Sequence, residues 1–196
     1  KRYGMSAKQV LDICQSLYEK HKLITYPRSD CRHLPVEQLA NAPTLFDAIH
    51  NNCKALQDAT AHADSSRKSK AWNDSKVSAH HAIVPTKKKS DCSRLNKSEQ
   101  NIYELIARQY IAQFYPIHEY EDTIVELNIA GGHFIARAKR IITPGWKTLY
   151  PSAKKDKDEV EEPLELPLLK KGDSLHCHTG ELVEKQTQPP KHFTDA

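Results

Sequence analysis

The chain of 196 residues holds only six glycines and one methionine, and no two of its five cysteines, at 14, 31, 53, 92 and 177, lie within four residues of each other. The missing close pairs exclude a zinc ribbon, and the odd, widely spaced set fits reduced thiols in a cytoplasmic protein. No apolar run approaches the roughly 18 residues of a membrane span, and the opening K-R-Y-G-M-S-A-K lacks the apolar centre of a signal peptide. No segment repeats. Glycine is scarce beside eleven prolines, so the turns are expected to be rigid. The length suits one large domain or two small ones, and 38% hydrophobic residues require each core to be compact. The chain does not begin with Met, and a piece of a longer protein is expected. His176-Cys177-His178 is the only dense group of possible metal ligands. On a strand its histidines share a face, but two ligands make a poor site, so a plain exposed strand is expected there.

What is present is unevenly charged. Residues 1–115 carry 18 Lys/Arg against 11 Asp/Glu, and residues 116–196 carry 11 against 14. A basic half beside a mildly acidic one points to a polyanion on the first. Solvated loops at Arg67-Lys68-Ser69-Lys70 and Lys87-Lys88-Lys89 would account for the same excess.

Ser6 and Gln9 form a capping-box pattern, and Val10, Cys14, Leu17 and Tyr18 recur at helical spacing, which predicts a helix over 6–20. A short strand at 23–26 follows. Pro35 suits the first turn of a second helix to about Ala40, and a third is predicted from Thr44 to Leu56. Residues 58–76 read as an exposed polar loop containing a lone Trp72. Ala82-Ile83-Val84 is a second short apolar stretch. Asn96 with Glu99, or Ser98 alone, caps a fourth helix that ends at Pro116. Beyond it the period changes to two: Thr123, Val125, Leu127 and Ile129 alternate, Gly131-Gly132 supplies a two-residue turn, and Phe134, Ala136 and Ala138 return. Residues 152–163 are densely charged, and two more strands are predicted near 174–178 and 182–187. The fold class is therefore α+β: a mainly helical, helix-turn-helix-like domain with a short active-site strand, then a small antiparallel β domain.

The chemistry concentrates in L-I-T-Y-P-R-S-D-C-R-H-L-P, residues 23–35. A phenol with a pKa near 10 is a weak nucleophile at neutral pH. It becomes effective where a cation stabilises phenolate and a phosphodiester is held in line. Arg28 lies two residues beyond Tyr26, so an extended backbone turns both to one face. A guanidinium can grip two phosphate oxygens while the phenol attacks phosphorus, and the displaced sugar hydroxyl can reverse the step without ATP. Pro27 has no N–H and belongs at a strand end or edge. In Ser78-Ala79-His80-His81 the adjacent histidines point apart, so one of them at most serves a given site. That one either donates to a phosphate oxygen or moves a proton, or else only caps a turn. Eight tyrosines in one chain leave a purely structural Tyr26 open.

The 23–35 stretch closely resembles the active-site strand of type IA DNA topoisomerases, and Pro27 after the tyrosine is more similar to the bacterial topoisomerase III branch. A-H-H-A-I-V-P-T (79–86) resembles the family's second signature, with His81 where topoisomerase I has glutamate. I-T-P-G-W-K-T-L-Y (142–150) and the junction T-Q-P-P-K-H-F-T-D-A (187–196) also fit. The resemblance implies that Tyr26 is the nucleophile forming a 5′-phosphotyrosyl bond with single-stranded DNA, that Arg28 holds the scissile phosphate and that His80 assists. Asp30 matches the Y-x-R-[ST]-D pattern and would orient Arg28 or His80. Arg28, Ser29, Arg32, Lys87 and Lys88 would contact DNA. Residues 1–115 would be the catalytic-tyrosine domain, 116–180 part of the β-rich hinge domain, and 181–196 the return to the strand-groove domain. The magnesium-binding Toprim domain precedes this stretch in the family, so no metal is expected here. A monomer in the cytoplasm, without membrane contact and inactive when isolated from its Toprim and groove domains, is expected. Two rivals stand beside this reading. One is a non-catalytic helix-turn-helix-like DNA-binding module. The other is a relaxase-like tyrosine nicking enzyme, which needs histidines converging on a metal.

Overall fold

Two capping boxes frame the helices. The Ser6 hydroxyl accepts from the Gln9 N–H at 3.2 Å while the Ser6 N–H donates to Gln9 Oε1 at 2.8 Å, opening α1 (Ala7–Glu19). In this computed structural model, which describes residues 3–150, 166–167, 169–184, 186–187 and 189, Asn96 and Glu99 do the same for the longest helix (Lys97–Ala112). Between the two boxes the chain winds more tightly than its apolar spacing predicts. Val36–Asn41 is a 3-10 segment, not an α-helix, and α2 (Ala42–Asn52) starts from it with Pro43 in its first turn. At Cys53 the backbone turns extended (φ −136°), which ends α2 before Leu56. A 3-10 turn at Lys54–Leu56 then leads into α3 (Gln57–Ala61). The Lys97–Ala112 helix is accordingly α4.

The polar stretch 58–76 is not simply an exposed loop. α3 and a 3-10 turn at Asp74–Lys76 interrupt it, and Trp72 is 4% exposed. The indole joins an aromatic cluster with Phe46, Tyr110 and Phe114. The Phe46 and Phe114 rings meet edge-on at 4.8 Å, and the Trp72 and Phe114 centroids are 5.7 Å apart. Offset and edge contacts of this kind add to the area each ring buries. Leu17, Leu23, Ile49, Leu56 and Ile111 complete the same core.

β1 (Glu119–Ile129) and β2 (Gly132–Thr143) form the expected antiparallel ribbon, with Leu127 opposite Phe134 and Val125 opposite Ala136. The turn lies one residue earlier than predicted, at Ala130 (φ 49°) and Gly131 (φ 85°). Two successive positive φ values match the twist of a two-residue hairpin. Gly145, in the I-T-P-G-W motif, has φ +54°, and a Cβ there would overlap the Ile117 carbonyl, so glycine is required. The strand expected at 174–178 does not form, and the described part of 182–187 is equally irregular; residues 173–184 are exposed. A strand needs a partner for its backbone, and the only sheet among the described residues has two strands. His176-Cys177-His178 is exposed there without strand pairing, its two imidazoles 4.6 Å apart. The charged segment 152–163 and most of 187–196 lie outside the described residues.

The described residues divide into two compact units. One holds residues 3–117 and 145–150, with all four helices; the other holds His118–Pro144 and the later residues. No helix among them is long and apolar enough to cross a membrane, and all five cysteines are free thiols. The α+β class holds.

Candidate active site

The predicted strand at 23–26 is a single antiparallel bridge, Ile24 to Pro85. It pairs the two short apolar stretches with each other. Thr25 N–H donates to the Val84 carbonyl at 2.9 Å, Thr86 N–H to the Leu23 carbonyl at 2.9 Å, and Thr25 Oγ1 accepts from Val84 N–H at 3.0 Å. Pro27 lacks the donor that the next rung would need, so the ladder does not continue past it.

Beyond Thr25 the chain makes an excursion and comes back to the same segment. Ala82 N–H donates to the His33 carbonyl at 2.9 Å, two residues from the Val84 contact. Leu34 then pairs in parallel with Trp72, donating to Ala71 O at 2.8 Å and accepting from Asn73 N–H at 3.0 Å. Residues 26–32 thus form a loop whose two feet stand on Val84 and Ala82. Within it the Ser29 hydroxyl accepts from Cys31 N–H at 3.2 Å, and the Cys31 sulfur lies 3.4 Å from the Lys76 carbonyl. Both signature motifs meet here.

At the first foot the Tyr26 ring lies against the His80 imidazole, centroids 4.6 Å apart and tilted by 41°. Tyr18 of α1 meets the Tyr26 ring edge-on at 5.7 Å. Tyr26 is half-buried and its hydroxyl has no partner among the described residues. Four other phenols are less available. Tyr103 and Tyr110 are buried, and desolvation pushes both pKa values well up. Tyr115 donates to Ala59 O at 2.9 Å and Tyr150 to Gln109 Oε1 at 2.6 Å. Pro27 is buried while Arg28 is exposed, and the chain bends at Thr25 and Pro27 rather than running on as a strand.

Arg28 and Asp30 are exposed and form no hydrogen bond or ion pair with each other, with Tyr26 or with His80 among the described residues. Arg32 is also exposed, Ser29 half-buried. Lys87 and Lys88 sit elsewhere on the same scaffold, their ammonium groups on Asn41 Oδ1 at 2.7 Å and the His21 carbonyl at 2.9 Å. Each ammonium keeps further donors for a phosphate. The histidines diverge: His81 Nδ1 lies 2.7 Å from its neighbour's carbonyl, Ala82 O, while His80 faces Tyr26. No three His, Cys, Asp or Glu side chains among the described residues cluster as a metal would require.

A family profile described as DNA topoisomerase matches residues 1–196. The chain belongs to the DNA topoisomerase family. It is 54% identical over 197 residues to DNA topoisomerase 3 of Vibrio cholerae serotype O1, covering 100% of this chain and 30% of that protein. It is 53% identical over 196 residues to DNA topoisomerase 3 of Haemophilus influenzae, again 100% and 30%. With DNA topoisomerase 3 of Bacillus subtilis it shares 39% identity over 202 residues, 100% of this chain and 27% of that protein. The chain therefore spans about 30% of the length of these curated relatives, and the resemblance to the topoisomerase III branch is borne out.

Sequence reasoning missed the support of this topoisomerase loop. Glu99, 6% exposed, caps α4 and also accepts from the Ser16 hydroxyl at 2.7 Å and lies 3.2 Å from His21 Nε2. It clamps α1 to α4 just before the chain enters Leu23. Burial alone pushes its pKa up, but hydrogen bonds from Ser16 and the Asn96 N–H, with the His21 imidazole, outweigh that and hold the carboxyl below its usual value. The only signal in the sequence was the Asn96/Glu99 box.

A depressed carboxyl stabilises the fold above its unfolded pKa near 4.3, and that contribution is lost as pH falls through the lower folded value. Glu99→Ala is expected to cost about 2 kcal/mol at pH 7, through the lost cap and the stranded Ser16 and His21. Urea midpoints at pH 7 and at pH 3 check this. The gap between wild type and variant should narrow in acid, and a gap independent of pH would contradict it.

Proposed function

We propose that this chain is the catalytic-tyrosine segment of a type IA DNA topoisomerase, which cleaves and rejoins single-stranded DNA to relax or decatenate it without ATP. The reading rests above all on one observation: the signature tyrosine, its hydroxyl unpartnered among the described residues, lies ring against ring with the signature histidine on a loop pinned at both ends. The Tyr26 oxygen attacks phosphorus, a 5′-phosphotyrosyl bond forms, and the sugar 3′-oxygen leaves and takes up a proton. Religation is the same step reversed. His80 donates a hydrogen bond to the phosphate or relays the proton. Exposed Arg28, unpaired among the described residues, swings onto a nonbridging oxygen only when DNA is present. Asp30 orients Arg28 or His80 in that closed state. Arg32, Ser29, Lys87 and Lys88 follow the strand.

Magnesium, in this reading, is held by a Toprim domain outside this chain, which works as a monomer in the cytoplasm. Residues 1–115 act as the catalytic-tyrosine domain, 116–180 as part of the hinge, and 181–196 as the start of the return to the groove domain. With the metal-bearing half absent, the isolated chain binds DNA weakly, with strong salt dependence, and does not cut it. Denaturing the full-length protein during reaction with labelled single-stranded DNA, then digesting it, should leave the label on the peptide containing Tyr26. Label on any other tyrosine, or cutting by the isolated chain with magnesium, would overturn the proposal.

A further inference from the structure

Tyr26 is held by little except other rings. Neither its hydroxyl nor its backbone forms a hydrogen bond among the described residues, and the pairing with 84–86 ends at Thr25. What remains are two ring contacts, with His80 at 4.6 Å and with Tyr18 at 5.7 Å. The two partners are not equally fixed. His80 is exposed and belongs to the irregular run 78–81, which makes no backbone hydrogen bond among the described residues. Tyr18 stands on the last turn of α1, beside fully buried Leu17 and the Ser16 hydroxyl that donates to Glu99 at 2.7 Å. The same turn carries the start of the loop, because Leu23 N–H donates to the Leu17 carbonyl at 2.9 Å. Lys22, whose carbonyl accepts from the Thr86 hydroxyl at 2.7 Å, lays its ammonium over the Tyr18 ring at 5.8 Å. Tyr18 is half-buried, and its own hydroxyl has no partner among the described residues. Its ring is what it brings to the site.

We infer that Tyr18 is a positioning residue for cleavage: its ring keeps the Tyr26 phenol in line for attack while His80 turns to the phosphate. The inference rests on the proposed cleavage at Tyr26 and deepens it. In that step an imidazole nitrogen has to aim at a phosphate oxygen, so His80 can no longer be the contact that fixes the Tyr26 ring. Tyr18 is then the ring contact left, and α1 ties it to the core. An oxygen without a hydrogen bond is aimed only by the ring that bears it. In-line attack needs oxygen and phosphorus about 3–3.5 Å apart, and an error of about 1 Å can cost roughly 100-fold. An edge-on ring contact directs the phenol and leaves its oxygen free to react.

Single-turnover cleavage of a single-stranded oligonucleotide by the full-length protein with magnesium, measured beside DNA affinity, tests this. Tyr18→Ala should slow cleavage about 30-fold or more and change the dissociation constant by less than about twofold. Tyr18→Phe, which keeps the ring and loses only the hydroxyl, should stay within about threefold of wild type. Should Tyr18→Ala fail to fold, Tyr18→Leu decides: it fills the space without a ring, and should slow cleavage about tenfold or more. A purely structural Tyr18 would lower cleavage and DNA binding together, in step with the folded fraction. That result overturns the inference, as does a wild-type rate in the deciding variant or a loss in Tyr18→Phe as large as in that variant. Each of these leaves the adduct on Tyr26, and with it the proposed function, standing. Absence of any adduct on Tyr26 in the wild-type protein overturns both.

Discussion

Replacing Tyr26 with phenylalanine in the full-length protein is expected to lower strand cleavage by roughly 10⁴-fold or more while changing DNA affinity by less than about twofold. The geometry makes this a clean experiment. The Tyr26 hydroxyl has no hydrogen-bond partner among the described residues, so its removal strands nothing. Phenylalanine keeps the ring contacts at 4.6 Å with His80 and 5.7 Å with Tyr18. Stability should therefore stay within about 0.5 kcal/mol of wild type, and lost activity cannot be traced to unfolding. The same variant separates the rivals. A helix-turn-helix-like binding module would lose nothing, because its contacts are electrostatic and lie elsewhere. A relaxase-like enzyme would also lose cleavage, but it needs histidines that converge on a metal, and His81 turns to its neighbour's carbonyl while His80 faces Tyr26. Retained cleavage in Tyr26→Phe would remove the tyrosine from the mechanism.

What the sequence made legible was local. Ser6 with Gln9 and Asn96 with Glu99 each fix a helix start within four residues, and both boxes form. The alternation from Thr123 onward set the ribbon and its two faces, because shifting a strand by one residue exchanges them. The turn at Ala130-Gly131 moves each partner by two from the pairing that Gly131-Gly132 implied. The non-local pairings were not legible. Nothing at 23–25 announces that it will pair with 84–86, some sixty residues away, and the bridge between them is too short for a period to show. Trp72 sits among polar residues, so its environment in the chain hides its role in the core. α2 ends early because Cys53 turns extended to reach the tight turn at Lys54–Leu56, a choice made by packing rather than by propensity. The site divides along the same line. Tyr26 and His80 were named by resemblance and are brought together, whereas Arg28 and Asp30, named in the same way, stand exposed and unpaired among the described residues. The feet of the loop, Thr25 on Val84 and His33 on Ala82, and the Leu34 bridge to Trp72 just beyond them, had no signal at all.

Those feet explain why the second large effect should come from a residue remote from the chemistry. Phe114 is fully buried just past α4, and its ring touches Phe46, Tyr110 and Trp72 at centroid distances of 4.8, 5.2 and 5.7 Å. Trp72 in turn carries the Leu34 bridge that holds the far end of the Tyr26 loop. Phe114→Ala removes most of a ring from a cluster of large side chains that cannot collapse to fill it, so a loss of about 3–5 kcal/mol is expected. Urea unfolding followed by tryptophan emission should show a lower midpoint with an unchanged slope. Phe114→Leu, closer in volume, should recover more than half of the loss. The cavity would also free Trp72, so the amides of Leu34 and Asn73 should exchange with solvent faster in Phe114→Ala even at temperatures where the protein stays folded. A loss under about 1 kcal/mol would mean that this ring cluster is not what holds the helical unit together. Normal exchange at Leu34 beside a large loss of stability would instead mean that the loop is anchored through Ala82 and Val84 alone.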